Sequence, residues 1–231
     1  MKTTEDIGGR QCVLIADERP EMMLIQILDI NEVDGFDGEA RMIADAAGGV
    51  QFAMTGIVTT DWAMDLMPWH DPKVARDERV GQGAELTLLY IEKVLLPGLR
   101  ERFGKLPVVL GGYSLGGLFS LWAASQTSSF DGIAAVSPSV WIKGWLDYAA
   151  ANPVKAKAVY LSLGDREEHT RNKTFAAVGD NIRAEHELLK AQLGNENCVL
   201  EWNEGSHFMD SDKRTARGFS WCMKLLASSV G

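Results

Sequence analysis

The chain of 231 residues has few cysteines and few basic residues, and each shortage argues against one class of protein. Cys12, Cys198 and Cys222 are widely spaced in apolar stretches, which predicts reduced thiols packed in the core rather than a disulfide framework. Lysine and arginine number 23 against 32 acidic residues, so the formal net charge is -9. Binding to a phosphate backbone needs clustered positive charge. Nucleic acid is therefore not an expected partner.

Long apolar runs and targeting signals are also missing from the sequence. No stretch reaches the roughly 18 consecutive apolar residues that would indicate a membrane span. Residues 1–10 are polar and acidic, and they lack the basic and apolar regions of a secretory signal peptide. We expect a cytoplasmic protein with no membrane partner.

Composition and patterning predict a single α/β domain over residues 1–231. With 46% hydrophobic and 24% charged residues and a mean hydropathy of -0.08, the chain can bury a large core. Predicted strands cover residues 12–15, 22–28, 52–58, 106–110, 132–136, 158–163 and 198–202. Predicted helices cover residues 38–47, 84–103, 118–124, 173–193 and 214–227. Their alternation predicts a mainly parallel central sheet with helices on both faces.

Two stretches depart from this alternation. Residues 59–80 are irregular and contain Pro68 and Pro72, which predicts a long ordered loop over the C-terminal edge of the sheet. Within the helix predicted for residues 84–103, Pro97 predicts a kink or break. Ordered loops of such length are often functional, so residues 59–80 are a candidate part of a binding site.

A G-x-S-x-G motif at residues 112–116 follows the apolar strand of residues 106–110 and precedes a predicted helix. A nucleophile on so sharp a turn needs a strained backbone, and Gly112 and Gly116 are expected to remove collisions around it. The Ser114 hydroxyl would then project above the sheet. The backbone N–H of Leu115, at the start of the helix, would point to where an oxyanion forms. The motif predicts a serine hydrolase.

A serine nucleophile needs a histidine to accept its proton, and four histidines are present. In α/β-hydrolases the order along the chain is serine, acid, histidine. His207 has this order and lies in a loop just after the last predicted strand. His169 and His186 lie in charged stretches and are interpreted as solvated side chains. His70 precedes the serine, in a loop that could overhang the site.

The acid that orients the histidine is expected after the strand of residues 158–163, where three carboxylates compete. We favour Glu167 and keep Asp165 as the first alternative. Glu168 is a further alternative for the acid, and a serine–histidine pair with no acid is another. A charged surface loop is the alternative interpretation of this stretch.

Several short motifs between residues 22 and 221 together resemble a known family. They are Ile27-Leu28-Asp29, Asp65-Leu66-Met67-Pro68, Leu95-Leu96-Pro97, Gly111 to Gly117, Phe130, Ser137-Pro138-Ser139 with Trp141, Gly164-x-x-Glu167, and Gly205-Ser206-His207-Phe208. This combination resembles the putative-esterase family of α/β-hydrolases, which includes enterochelin esterases, feruloyl esterase domains and esterase-D-like enzymes.

The resemblance implies an α/β-hydrolase fold and hydrolysis of a small-molecule carboxylic ester through an acyl-serine. Ser114 would be the nucleophile, His207 the general base and then acid, and Glu167 the orienting acid. No metal or organic cofactor is expected. Acyl transfer from the same acyl-serine, or a non-catalytic binding protein with this fold, are the alternative functions, and a homo-oligomer is left open.

The resemblance also implies an oxyanion hole that pairs the Leu115 N–H with a backbone N–H of Ile30 or Asn31. Here the family usually has Leu-Asp-Gly, whereas this chain has Leu-Asp-Ile-Asn at residues 28–31. A loop arginine of the family, expected about three residues before Asp65, is replaced by Trp62, which argues against a siderophore substrate.

Trp62, His70 and Trp141 are candidates for substrate binding. Core or lid packing is the alternative for both tryptophans.

Overall fold

A computed structural model describes residues 2–228, and an eight-stranded sheet runs through them. Its strands are β1 (Lys2–Ile7), β2 (Arg10–Ala16), β3 (Met22–Asp29), β4 (Phe52–Thr59), β5 (Val108–Tyr113), β6 (Gly132–Val136), β7 (Ala158–Gly164) and β8 (Cys198–Asn203). The spatial order is β1-β2-β4-β3-β5-β6-β7-β8. Strand β2 pairs antiparallel with β1 and β4, and the other neighbours pair in parallel. The predicted mainly parallel sheet is confirmed.

Helices cover both faces of this sheet, as predicted. They are α1 (Phe36–Ala46), α2 (Trp62–Leu66), α3 (Gly83–Tyr90), α4 (Leu96–Phe103), α5 (Leu115–Gln126), α6 (Trp145–Ala151), α7 (Lys173–Ala176), α8 (Val178–Leu193) and α9 (Ser211–Ser228). Alternate residues of a strand belong to different cores: in β5, Leu110 belongs to the core that includes buried residues of α5 and α8, whereas Val109 belongs to the core that includes buried residues of α1 and α9. Burial on both faces explains why β3 is apolar almost throughout.

The first strand was not predicted from the sequence. Strands β1 and β2 form a hairpin through Gly8 and Gly9, whose φ angles of 61° and 88° suit a tight two-residue turn. The Gly-Gly pair was the available signal. It was missed because only the buried half of the hairpin, residues 12–15, has an apolar run.

The long loop and the proline-containing helix also differ from the predictions. Helix α2 lies within residues 59–80, and the Asp61 side chain accepts the Met64 N–H at 3.0 Å as its N-cap, so the prediction of an irregular loop is wrong there. At Pro97 the helix does not break. A π-helical turn at Ile91–Leu95 joins α3 to α4, and Pro97 lies in the first turn of α4.

The three cysteines are buried and free within the part of the chain that the structure describes, as predicted. No helix among residues 2–228 is long and apolar enough to cross a membrane. The predicted domain of residues 1–231 includes residue 1 and residues 229–231, which lie outside the described residues, and a single domain stays a prediction.

Candidate active site

Ser114 connects β5 to α5 with an unusual backbone conformation. Its φ of 57° and ψ of -116° are rarely adopted by a residue with a side chain. The strain is held by neighbours: the Ser114 N–H donates to the Val136 carbonyl at 2.9 Å, and the Ser114 carbonyl accepts from Leu118 and Ser139 at 3.0 and 3.1 Å. The turn therefore has the strained form that the motif predicted.

The glycines of the turn do not all serve the purpose that the sequence suggested. A Cβ on Gly112 would lie 2.9 Å from the Gly116 carbonyl carbon, which requires glycine at 112. The prediction for Gly116 itself is wrong, because its Cβ would make ordinary contacts, the nearest of them with the Trp62 ring at 3.4 Å. Gly117 is the second tight position, with a Cβ 3.0 Å from the Gly112 carbonyl oxygen.

Three predicted site residues form one chain of hydrogen bonds. His207 Nε2 lies 3.1 Å from Ser114 Oγ, and His207 Nδ1 lies 2.7 Å from Glu167 Oε2. The other carboxylate oxygen, Glu167 Oε1, accepts from the Gly164 N–H and the Ser137 hydroxyl, both at 2.8 Å. The three residues come from loops after β5, β7 and β8, which end at the same edge of the sheet.

Glu167 is buried, but neighbouring hydrogen-bond donors stabilise its negative charge. Burial would by itself raise the pKa of Glu167, but the hydrogen bond and charge of His207, with the donors Gly164 and Ser137, hold that pKa below its ordinary value. The carboxylate is therefore ionised at neutral pH. An ionised partner keeps the proton of a neutral imidazole on Nδ1, which leaves Nε2 free to accept the serine proton.

The competing carboxylates have other partners. Asp165 Oδ1 accepts the Gly205 N–H at 2.8 Å, and Glu168 binds the Arg183 guanidinium at 2.7 and 2.8 Å. The structure thus brings Glu167, and neither alternative, to the imidazole.

Sequence reasoning missed Arg214, whose side chain is 2% exposed and lies 3.1 Å from Glu167 Oε1. The Ser137-Pro138-Ser139 motif also reaches the site, because Ser139 Oγ lies 3.2 Å from Ser114 Oγ. For Arg214 a signal was available: it lies four residues before Gly218 and eight before Cys222, on the inward face of α9.

The backbone N–H groups predicted for the oxyanion hole come from the start of α5 and from the 3-10 turn after β3. Leu115 is the first residue of α5, where backbone N–H groups lack partners within the helix. After β3, Ile30 is the first residue of a 3-10 turn whose N-cap is Asp29. The Asn31 N–H donates to Asp29 Oδ1 at 2.9 Å, so an oxyanion would have to compete with that carboxylate. The second donor stays a prediction.

Two cavities meet at Ser114 and His207. The larger cavity has a volume of about 450 Å³ and a wall of aromatic and aliphatic side chains with one cation. Besides Ser114, Ser137, Ser139, Glu167 and His207, it is lined by Trp141, Arg166, Thr170, Phe175, Val178, Ser206 and Phe208. The smaller, of about 410 Å³, has an acidic wall; it is lined by Asp29, Glu32, Trp62, Tyr113, Phe208 and Ser211. Trp62 and Trp141, both predicted to bind substrate, therefore lie in different cavities.

His70 is exposed, contacts the Ala75 carbonyl at 3.2 Å through Nε2, and lines neither cavity. The structure gives the substrate-binding prediction for His70 no support, because its loop turns the side chain to solvent rather than over Ser114. The neighbouring Trp69 packs instead, donating to the Lys143 carbonyl and stacking on Trp145.

The mainly parallel sheet, the helices on both faces and the strained serine turn define the α/β-hydrolase fold. The sequence model of the family described as Putative esterase matches residues 56–211, more than half of the chain. The chain belongs to this family. No curated protein sequence matches it.

Solved structures agree with this fold. An IroE-like serine hydrolase from Shewanella oneidensis has a TM-score of 0.77 at 19% identity, over 95% of this chain and 79% of its own. Siderophore hydrolase EstB from Aspergillus nidulans has a TM-score of 0.72 at 18% identity, over 95% and 93%. The enterobactin esterase FES from Shigella flexneri has a TM-score of 0.65 at 16% identity, over 99% and 59%.

Proposed function

We propose that the protein hydrolyses small-molecule carboxylic esters through an acyl-serine intermediate. The hydrogen-bonded chain from Glu167 through His207 to Ser114 carries this proposal. Membership of the putative-esterase family supports ester hydrolysis as the reaction.

In the first half-reaction, His207 Nε2 takes the Ser114 proton as Oγ attacks the ester carbonyl. The ionised Glu167 stabilises the resulting imidazolium, and the Leu115 N–H stabilises the oxyanion. His207 then gives the proton to the departing alcohol. In the second half-reaction, His207 removes a proton from water as the water attacks the acyl-serine, and returns that proton to Ser114 Oγ as the acid leaves. Each oxyanion donor typically contributes about 3–4 kcal/mol.

The two cavities suggest how an ester would lie. We assign the acyl group to the larger cavity, because its aromatic and aliphatic wall suits an apolar chain or ring. The alcohol would occupy the cavity beside Trp62. Asp29 and Glu32 on that wall would repel an anionic alcohol. Although the structural neighbours include siderophore hydrolases, this charge favours neutral or cationic leaving alcohols here.

The test compares hydrolysis of p-nitrophenyl esters by the wild type, Ser114→Ala and Ser128→Ala. Ser128 is an exposed serine between α5 and β6, and it serves as the matched control. We expect activity in the wild type and in S128A and its loss in S114A. Hydrolysis that persists in folded S114A would exclude Ser114 as the nucleophile. Consumption of ester only when an acceptor alcohol is added would indicate acyl transfer instead.

The cytoplasmic location and the oligomeric state stay predictions.

A further inference from the structure

Arg214 is a buried cation at the start of α9, and its guanidinium spans the candidate catalytic residues. Arg214 Nη1 donates to Glu167 Oε1 at 3.1 Å, to the Tyr113 hydroxyl at 2.9 Å and to Ser137 Oγ at 3.2 Å. Arg214 Nη2 donates to the backbone carbonyls of Glu204 and Ser206, both at 3.2 Å. A planar guanidinium with several fixed donors can join groups that a lysine ammonium cannot hold together.

These contacts join the two loops that carry the acid and the base. Glu167 follows β7, whereas Glu204 and Ser206 belong to the loop after β8 that carries His207. The Tyr113 hydroxyl, which accepts from Arg214, donates in turn to the His207 carbonyl at 2.8 Å. Together with the Gly164 N–H and the Ser137 hydroxyl, Arg214 therefore supports the 2.7 Å contact between Glu167 Oε2 and His207 Nδ1 from outside that contact.

We propose that Arg214 is a positioning residue for ester cleavage, holding together the two loops that carry Glu167 and His207. This inference rests on the proposed function, because it concerns the same three residues.

The test measures kcat and KM for Arg214→Lys and Arg214→Gln. Arg217, one turn further along α9, is exposed and pairs with Glu201 and Asn203, so Arg217→Gln is the matched control. We expect both Arg214 variants to lower kcat about 10- to 100-fold with little change in KM, the size of effect that is typical of groups that orient metal-binding histidines. R217Q should match the wild type.

A second variant keeps the proposal testable if R214Q does not fold. Tyr113→Phe keeps Arg214 but removes its link to the His207 carbonyl, and should lower kcat with little change in KM. Wild-type kcat in folded R214K and Y113F, or a change in KM as large as the change in kcat, would overturn the proposal. Inactivity of the wild type itself would instead reject the proposed function, which separates the two failures.

Discussion

Glu167→Gln should remove most of the activity while leaving the fold in place. Three donors hold Glu167 Oε1: the Gly164 N–H and the Ser137 hydroxyl at 2.8 Å, and Arg214 at 3.1 Å. In E167Q these donors would select the amide oxygen, so the NH₂ group would take the place of Oε2 and face His207 Nδ1. An NH₂ group donates, and His207 would have to accept at Nδ1 and carry its proton on Nε2. That tautomer cannot take the Ser114 proton.

The expected size of the effect follows from this tautomer change. In serine proteases an amide in place of the acid lowers kcat about 10⁴-fold. This factor corresponds to about 5.5 kcal/mol in the activation barrier. Kinetics of p-nitrophenyl ester hydrolysis, with circular dichroism to check folding, would measure it. Asp165→Asn is the matched control, because Asp165 contacts the Gly205 N–H and not His207. More than a tenth of wild-type kcat/KM in E167Q, or an equal loss in D165N, would refute the reasoning.

Two further predictions concern stability and substrate size. Burial raises the pKa of Glu39 from 4.5 to about 8, so the stability that this group contributes is complete below pH 4.5 and is lost as the pH rises through about 8. Glu39→Gln should therefore reduce the fall in Tm between those two pH values, measured by thermal unfolding; an unchanged fall would contradict this. Trp141 packs edge-to-face on Phe175 at 4.6 Å in the larger cavity, so Trp141→Ala should raise KM about 10-fold for p-nitrophenyl benzoate and little for the acetate. Equal changes for both esters would argue against an acyl group in that cavity.

The sequence predicted those parts of the site that local patterns encode. The strand, glycine motif and helix around Ser114 are contiguous, so their steric logic can be read from neighbouring residues. His207 could be found because a parallel sheet brings the ends of its strands to one edge. Both inferences depend on local pattern and strand order alone.

Other parts depended on contacts that no local pattern encodes. The choice between Asp165 and Glu167 depends on which carboxylate the 3-10 turn at Glu167–His169 directs inward. Arg214 lies more than forty residues along the chain from Glu167, and its burial is compensated by partners in the loops after β6, β7 and β8. In the nucleophile turn, a Cβ at Gly112 or Gly117 would meet backbone atoms across the close contact between β5 and α5, whereas a Cβ at Gly116 would not.

The acyl-serine itself is the most direct test of the central claim. Wild-type protein mixed with p-nitrophenyl acetate, quenched in acid within the first turnover and digested, should yield a peptide that carries one acetyl group on Ser114. A burst of p-nitrophenol equal to the enzyme concentration should accompany it when deacylation is slower than acylation. The label should be missing from S114A. Ester hydrolysis by folded protein with the acetyl group on another residue, or labelling that persists in S114A, would contradict the account.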